Sequence, residues 1–331
     1  MDQQRKIIRM GAVAIVMAIT LRLFGGGFIN TLGQVLQDER VQAFLVYLQT
    51  GRLLRRPQSL PPQTLPPQTE PQQTTLPPEA VLSFSPEDMQ NISVTYRCDY
   101  RPDAESLLLQ PLVWDLTGDG PTVLIVHTHA TEAYTQTAGT EYEEDAAYRT
   151  LDERYNMVSI GEEVARVLEA GGISVLHDRS YHDYPSYNGS YGNARVAIEE
   201  YLRQYPSIQM VLDIHRDASD GENGSQLTTS ATVGGQPSSQ LMVVAGTDAG
   251  GSYHPNWQQN LALALKLSAV LERSDPGVTR PVSLRSSRFN MDLTPGSLLI
   301  EVGAAGDTHE QALLAANALA RGILALAKGC K

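Results

Sequence analysis

Residues 122–129 read TVLIVHTH, four apolar residues, three of them β-branched, closing on two histidines. A run this short, with no polar alternation, is the pattern of a strand buried on both faces of a parallel sheet. NMVSIGEEVARVLEAGG follows at 156–172, with apolar residues at helical spacing and a stop at Gly171-Gly172. Outward from this pair the same alternation continues. ISVLHD (173–178) reads as a strand, NARVAIEEYLRQYP (193–206) as a helix ended by Pro206, and IQMVLDIHRD (208–217) as a third strand. QLMVVAGTD (240–248) is a fourth, Asn256 to Arg273 a long helix, SLLIEVG (297–303) a fifth strand, and HEQALLAANALARGILALAKG (309–329) the last helix. The alternation predicts a three-layer α/β sandwich around a mainly parallel sheet, with ligands bound beyond the carboxyl ends of the strands.

The rest of the 331-residue chain differs in kind. Arg5, Lys6 and Arg9 precede an apolar run from Met10 to Leu21, interrupted by Arg22. This order predicts an uncleaved signal-anchor over residues 1–30, with a cleaved secretory signal as the alternative. Positive charge before the run keeps that end in the cytoplasm and puts the remainder outside, on a single membrane pass. Residues 31–92 read as a helical stalk followed by a spacer. Within it, positions 57–79 hold 8 of the 19 prolines and repeat LPPQT in tandem, an extended segment unable to pack a core. Residues 93–331 form the folded domain. Cys98 and Cys330 flank it, either as one disulfide or as two thiols. With 25 basic against 37 acidic residues the net charge is −12, which argues against capture of nucleic acid.

Polar residues collect at the predicted strand ends. His129 and Glu132 form an H-x-x-E pair, and His215 from a distant strand completes a His2Glu set, the donors a catalytic zinc uses with one position left open. Zinc would acidify a water and polarise a scissile carbonyl. Glu301, a lone acid after Leu298-Leu299-Ile300, suits the general base that takes the water's proton and passes it to a leaving amine. His127, two residues from His129, would share its face if the strand continued, as a replacement ligand or a neighbour of the site. Asp213 stands two before His215 and suits orienting it. Arg216 and Asp217 are candidates for substrate contacts or for a local ion pair. His177, His182, His254 and His309 read as solvent-facing. The chain has no G-x-S-x-G elbow, G-x-G-x-x-G turn or P-loop lysine motif, and its cysteines lack metal-site spacing.

Five stretches in order, HTHATEAY (127–134), YNMVSIGEEV (155–164), HDYPSYNGSYGNAR (182–195), VLDIHRDAS (211–219) and FNMDLTPGSLLIEVG (289–303), resemble the stage II sporulation protein P family. The resemblance implies a zinc-dependent peptidoglycan hydrolase with an N-acetylmuramoyl-L-alanine amidase fold, of the carboxypeptidase-like, phosphorylase/hydrolase-like kind. It would cut the amide between N-acetylmuramic acid and the L-alanine of the stem peptide, with cross-link endopeptidase activity also associated with the family. By analogy with such amidases the resemblance places the metal on His129, Glu132 and His215 and the acid/base on Glu301, and it leaves His127 and His129 in competition. It further implies action in the intermembrane space of the forespore during engulfment, alongside stage II sporulation proteins D and M. A wall-binding scaffold that keeps the fold without catalysis is the competing reading.

Overall fold

The computed structural model describes residues 82–112, 114–219 and 225–329. The predicted anchor, stalk and proline-rich spacer lie outside the described residues, as does Cys330 and with it the disulfide reading.

The elements run β1 (Val94–Arg97), α1 (Ala104–Leu109), β2 (Val123–Val126), α2 (Met157–Ala170), β3 (Val175–His177), α3 (Ser190–Gln204), β4 (Met210–Asp217), β5 (Ala231–Val233), β6 (Gln236–Ser238), β7 (Leu241–Gly246), α4 (Trp257–Ser274), β8 (Val282–Arg285), β9 (Ser297–Ala304) and α5 (His309–Gly329). Seven strands make one sheet in the order β1-β8-β7-β9-β4-β2-β3, and β5 and β6 form a separate hairpin. All neighbours in the large sheet are parallel except β7 and β9. The strands and helices predicted between residues 122 and 329 are all present. β1 and β8 are additions; their sequences, VTYR and VSLR, mix polar with apolar residues and carry no apolar run like that of β2.

Side chains of alternate parity divide the sheet into two faces. Val123, Ile125, Leu212, Ile214, Leu298 and Ile300 belong to the main core, with residues of α2, α4 and α5. Leu124, Val126 and Val211 face the other way, against Ile198 of α3, and Met242, Val244 and Leu299 pack there against Met291. The result is a three-layer sandwich with unequal outer layers. The helix-rich face carries most of the buried apolar area, at roughly 1.5–3 kcal/mol per fully buried large side chain. The other face has one helix and loops, which leaves room for polar chemistry. Local signals set the helix ends: the Asn156 side chain accepts from Val158 N and caps α2.

α5 is long and apolar enough to cross a membrane, yet half of that stretch is buried inside the molecule, against α2 and α4, as a core helix is. The segment before β1 also packs on the body, with Leu82 N donating to Gly329 O at 2.9 Å and Arg273 paired with Asp88 at 2.6 Å.

One irregularity matters for the site. β4 and β9 pair His215 with Glu301, but two residues later Asp217 meets Ala304, so β9 carries an extra residue. Gly303 sits in that bulge at φ +70°, a conformation a side chain disfavours.

Candidate functional site

On β4, Leu212 and Ile214 point into the main core, so Asp213 and His215 occupy the thin face beneath α3. Parallel register sets Glu301 of β9 beside His215, and both strands end there. β2 stops at Val126, and the following turn carries His129 and Glu132 over the same face. A bridge between Glu132 and Arg149 holds this turn.

The His129 and His215 rings stand perpendicular with centroids 5.3 Å apart. Glu132 Oε2 is 3.6 Å from His215 Nδ1. On its other side His215 Nε2 lies 2.9 Å from Asp213 Oδ1, out of line for a hydrogen bond. Asp213 itself accepts from Thr128 N at 2.8 Å and Thr128 Oγ1 at 2.6 Å. Burial pushes the Asp213 carboxyl up, but the His215 charge and the Thr128 bonds outweigh it and bring it down to about 2. Burial likewise pulls His215 down, and the carboxylates of Asp213, Glu132 and Glu301 reverse this and lift it to about 9. Burial leads at His129, which falls below its ordinary value.

Two guanidinium groups fix Glu132. Arg149 Nη2 lies 3.5 Å from Oε1 and Arg216 Nη1 3.8 Å from it, while Arg216 N donates to Oε2 at 3.3 Å. Arg216 is in turn anchored on Ala133 O and Tyr148 O at 3.0 and 3.1 Å. Glu301 is only partly exposed, and its Oε2 is sealed without a hydrogen-bond partner. Burial lifts its carboxyl to about 7; the positive charge of His215 opposes this, and Glu132 and Asp217 reinforce it.

Among the described residues no three His, Cys, Asp or Glu side chains stand close enough, as placed, to enclose a metal ion. The donor set nevertheless fits one. His129 Nδ1 is sealed from water and unpartnered, and a buried polar atom of this kind calls for a missing partner such as an ion; His215, held against Asp213 through Nε2, turns Nδ1 toward Glu132 at 3.6 Å. Two imidazoles and the Glu132 carboxylate supply the nitrogen and oxygen donors that zinc takes.

The other predicted residues are placed as follows. Asp213 and Arg216 brace His215 and Glu132. Asp217 is engaged elsewhere, by Arg280 at 2.7 Å and Ser219 at 2.6 Å. His127 does not join His129: its ring keeps the parity of Val123 and Ile125 and faces α2, and it is His129, beyond the end of β2, that leaves that face. His127 Nδ1 must donate to Ile214 O at 3.0 Å, because a carbonyl only accepts, so Nε2 accepts from His177 Nε2 at 2.8 Å. Gly161 makes room for the pair, since a Cβ there would lie 2.5 Å from His127 Nε2. The expectation that His177, His182, His254 and His309 face solvent is overturned. His182, His254 and His309 are buried and His177 nearly so, because packed loops cover the element ends where they sit.

The imidazole pair gives a stability prediction. Burial above all holds His127 near about 3 and His177 near about 4, both below the ordinary value of 6.5. Above that value both are neutral in folded and unfolded chains and add no pH dependence. Below it the unfolded chain binds protons that the folded chain refuses, so stability falls by up to about 1.4 kcal/mol per pH unit for each ring until the folded values are reached. Urea midpoints are expected to drop between pH 7 and pH 5, and to drop less in His177→Gln.

Four site residues escaped sequence reasoning. Tyr187 stacks on His129 at 4.5 Å and 8°, with the Arg149 guanidinium 4.6 Å from its ring centroid. Asp183 lies 3.9 Å from His129 Nδ1 and takes Thr131 Oγ1 at 2.6 Å and Arg149 Nη1 at 3.1 Å. Tyr191 stacks near His215 at 6.3 Å and 15°. Three of the four come from the HDYPSYNGSYGNAR loop, whose tyrosines were the available signal.

Fold and site together define the class: an α/β protein with a buried histidine–carboxylate cluster at the carboxyl ends of its central strands. The family model for stage II sporulation protein P matches residues 63–324, most of the chain. The chain belongs to that family. It is similar to the stage II sporulation protein P of Bacillus subtilis (strain 168), 29% identical over 217 residues that cover 62% of this chain and 50% of the relative. The chain thus spans about half the length of the curated relative it matches. Among solved structures it is similar to the N-acetylmuramoyl-L-alanine amidase AmiC2 of Nostoc punctiforme, with TM-score 0.37 and 19% identity over 62% of this chain and 97% of that one. It is also similar to an N-acetylmuramyl-L-alanine amidase of Mycobacterium smegmatis, with TM-score 0.37 and 16% identity over 64% and 98%.

Proposed function

We propose that the chain is a zinc-dependent peptidoglycan hydrolase of sporulation. It cleaves the amide between N-acetylmuramic acid and the L-alanine of the stem peptide, tethered by an N-terminal anchor outside the cytoplasm in the intermembrane space of the forespore. One observation carries the reading. His129, Glu132, His215 and Glu301, from three distant stretches of sequence, meet in one buried cluster in which His129 Nδ1 and Glu301 Oε2 have no hydrogen-bond partner. Family membership supports the setting, and stage II sporulation proteins D and M are the partners it suggests.

In this reading His129, Glu132 and His215 hold the ion. When bound, zinc polarises the scissile carbonyl and acidifies water. The chain's own residues do the rest. Asp213, fixed by Thr128, orients His215 through Nε2, the outer carboxylate commonly found behind a ligating histidine. Arg149 and Arg216 hold Glu132 in place and offset its charge. Glu301, beside His215 with Oε2 free of any hydrogen bond, takes a proton from the attacking water and returns it to the departing amine. Tyr187 packs flat on His129 and restricts its motion.

Purified full-length chain, assayed for zinc and incubated with sacculi, tests this. About one equivalent of zinc and new stem peptides beginning with L-alanine in the mass spectrum are expected. Muropeptides released only from cross-links would replace amidase with endopeptidase as the main activity. Intact sacculi together with less than about half an equivalent of zinc would leave the wall-binding scaffold.

A further inference from the structure

A cleft of about 380 Å³ opens beside the site, between the first turn of α3 and the loop joining β8 to β9. Tyr191 is the shared wall: its ring stacks near His215 on the site side and approaches Phe289 of the cleft at 5.7 Å. In a chain of net charge −12, the charged residues lining this cleft are two arginines, Arg195 and Arg288, and the acids that pair with them, Asp292 and Glu199, are not part of the lining.

The two arginines share one acid. Asp292, nearly buried behind the wall, takes Arg195 Nη1 at 3.0 Å and Arg288 Nη1 at 3.3 Å. Arg195 also meets the half-exposed Glu199 through Nε at 2.8 Å. Arg288 therefore spends one of its three nitrogens and keeps the others, about one-third exposed, for a partner. A guanidinium fork with free donors fits a carboxylate with two parallel bonds. Two further features reinforce this. α3 starts without a side-chain cap, so its positive end at Gly192 faces the same space. Phe289 and Asn290 hold left-handed backbone at φ 50° and 59°, and Asn290 Nδ2 pins their loop to Tyr191 O at 2.8 Å. Backbone kept in disfavoured conformations is found at ligand clamps.

We propose that this cleft is a subsite for a free carboxylate of the stem peptide, so that the chain grips its substrate by the peptide arm and not by the glycan. The inference rests on the reading of the neighbouring site as one that cuts peptidoglycan. An N-acetylated glycan strand is uncharged once its lactyl groups are in amide linkage, whereas the peptide carries several carboxylates. A scissile amide near His215 would let the peptide run past Tyr191 toward Arg288.

The test uses the full-length chain in detergent and two synthetic stem tetrapeptides, one with free carboxylates and one with every carboxylate amidated, titrated by calorimetry. Wild type is expected to bind the free acid about tenfold more tightly, as loss of a charge-assisted paired contact implies. Arg288→Gln is expected to erase most of that preference, and Arg288→Lys to restore part of it, keeping the charge but losing the fork. Equal binding of both peptides to wild type, within about twofold, overturns the proposal without relying on any variant, as does an unchanged preference in Arg288→Gln. Sacculus digestion, run in parallel, separates the two readings. Digestion without carboxylate preference rejects the subsite alone, and preference without digestion keeps it while rejecting the hydrolase.

Discussion

Glu301→Gln is expected to lower the release of stem peptides from sacculi by about 10²–10⁴-fold, the usual contribution of a positioned general acid–base, while zinc content stays at the wild-type level. The substitution preserves shape and removes only the ability to accept and return a proton. Glu301 is beside His215 in register, yet its Oε2 carries no hydrogen bond within the protein, so the change breaks no visible structural contact. Retained zinc with lost digestion therefore separates a role in proton transfer from a role in holding the ion. Digestion within about threefold of wild type would remove Glu301 from the mechanism, since effects that small fall well below the acid–base range.

The second large effect is expected at His215. His215→Ala removes a nitrogen donor and also strips Asp213 of the imidazole nitrogen that faces it at 2.9 Å. Two losses follow. Zinc after purification is expected below about a tenth of an equivalent, because three protein donors are the minimum catalytic sites use, and sacculus digestion should fall to background. Asp213 also becomes a buried carboxylate without that neighbour, and leaving such a group unsatisfied costs on the order of 1–3 kcal/mol, so the urea midpoint should drop clearly. His129→Ala offers the contrast: the same loss of zinc and digestion, with a smaller stability cost, since Asp183 keeps its bond to Arg149. Wild-type zinc content in either variant would exclude that residue from the ion's shell.

Much of the fold was legible because its information is local. TVLIV, MVLDI and SLLIE are apolar runs between amphipathic helices, and their buried character survives in β2, β4 and β9. β1 and β8 were not legible, because VTYR and VSLR mix polar with apolar residues and show no buried run. The antiparallel pairing of β7 with β9 was not legible either, since strand direction within a sheet depends on how connections cross it.

The site divides in the same way. His129, Glu132, His215 and Glu301 could be singled out because they follow buried strands, where an α/β sheet exposes its polar ends. Their companions could not. Arg149 and Asp183 lie in loops whose path is set by packing, and they reach Glu132 and His129 only in three dimensions. His127 shows the limit within a single motif. Read as strand, it shares a face with His129; in the structure His127 keeps the parity of Val123 and Ile125 and meets His177 and Gly161, while His129, past the end of β2 at Val126, turns to the other face.

The amino-acid sequence by itself determined the layered α/β class and the residues able to carry chemistry, because hydrophobic period and strand-end polarity act between near neighbours along the chain. Tertiary structure decided which of them meet. The β4–β9 register set Glu301 beside His215, the turn after β2 separated His129 from His127, and two arginines came to rest on a cleft beside Tyr191. Those outcomes depend on the burial of the whole sheet, which fixes side-chain direction only once every layer is in place.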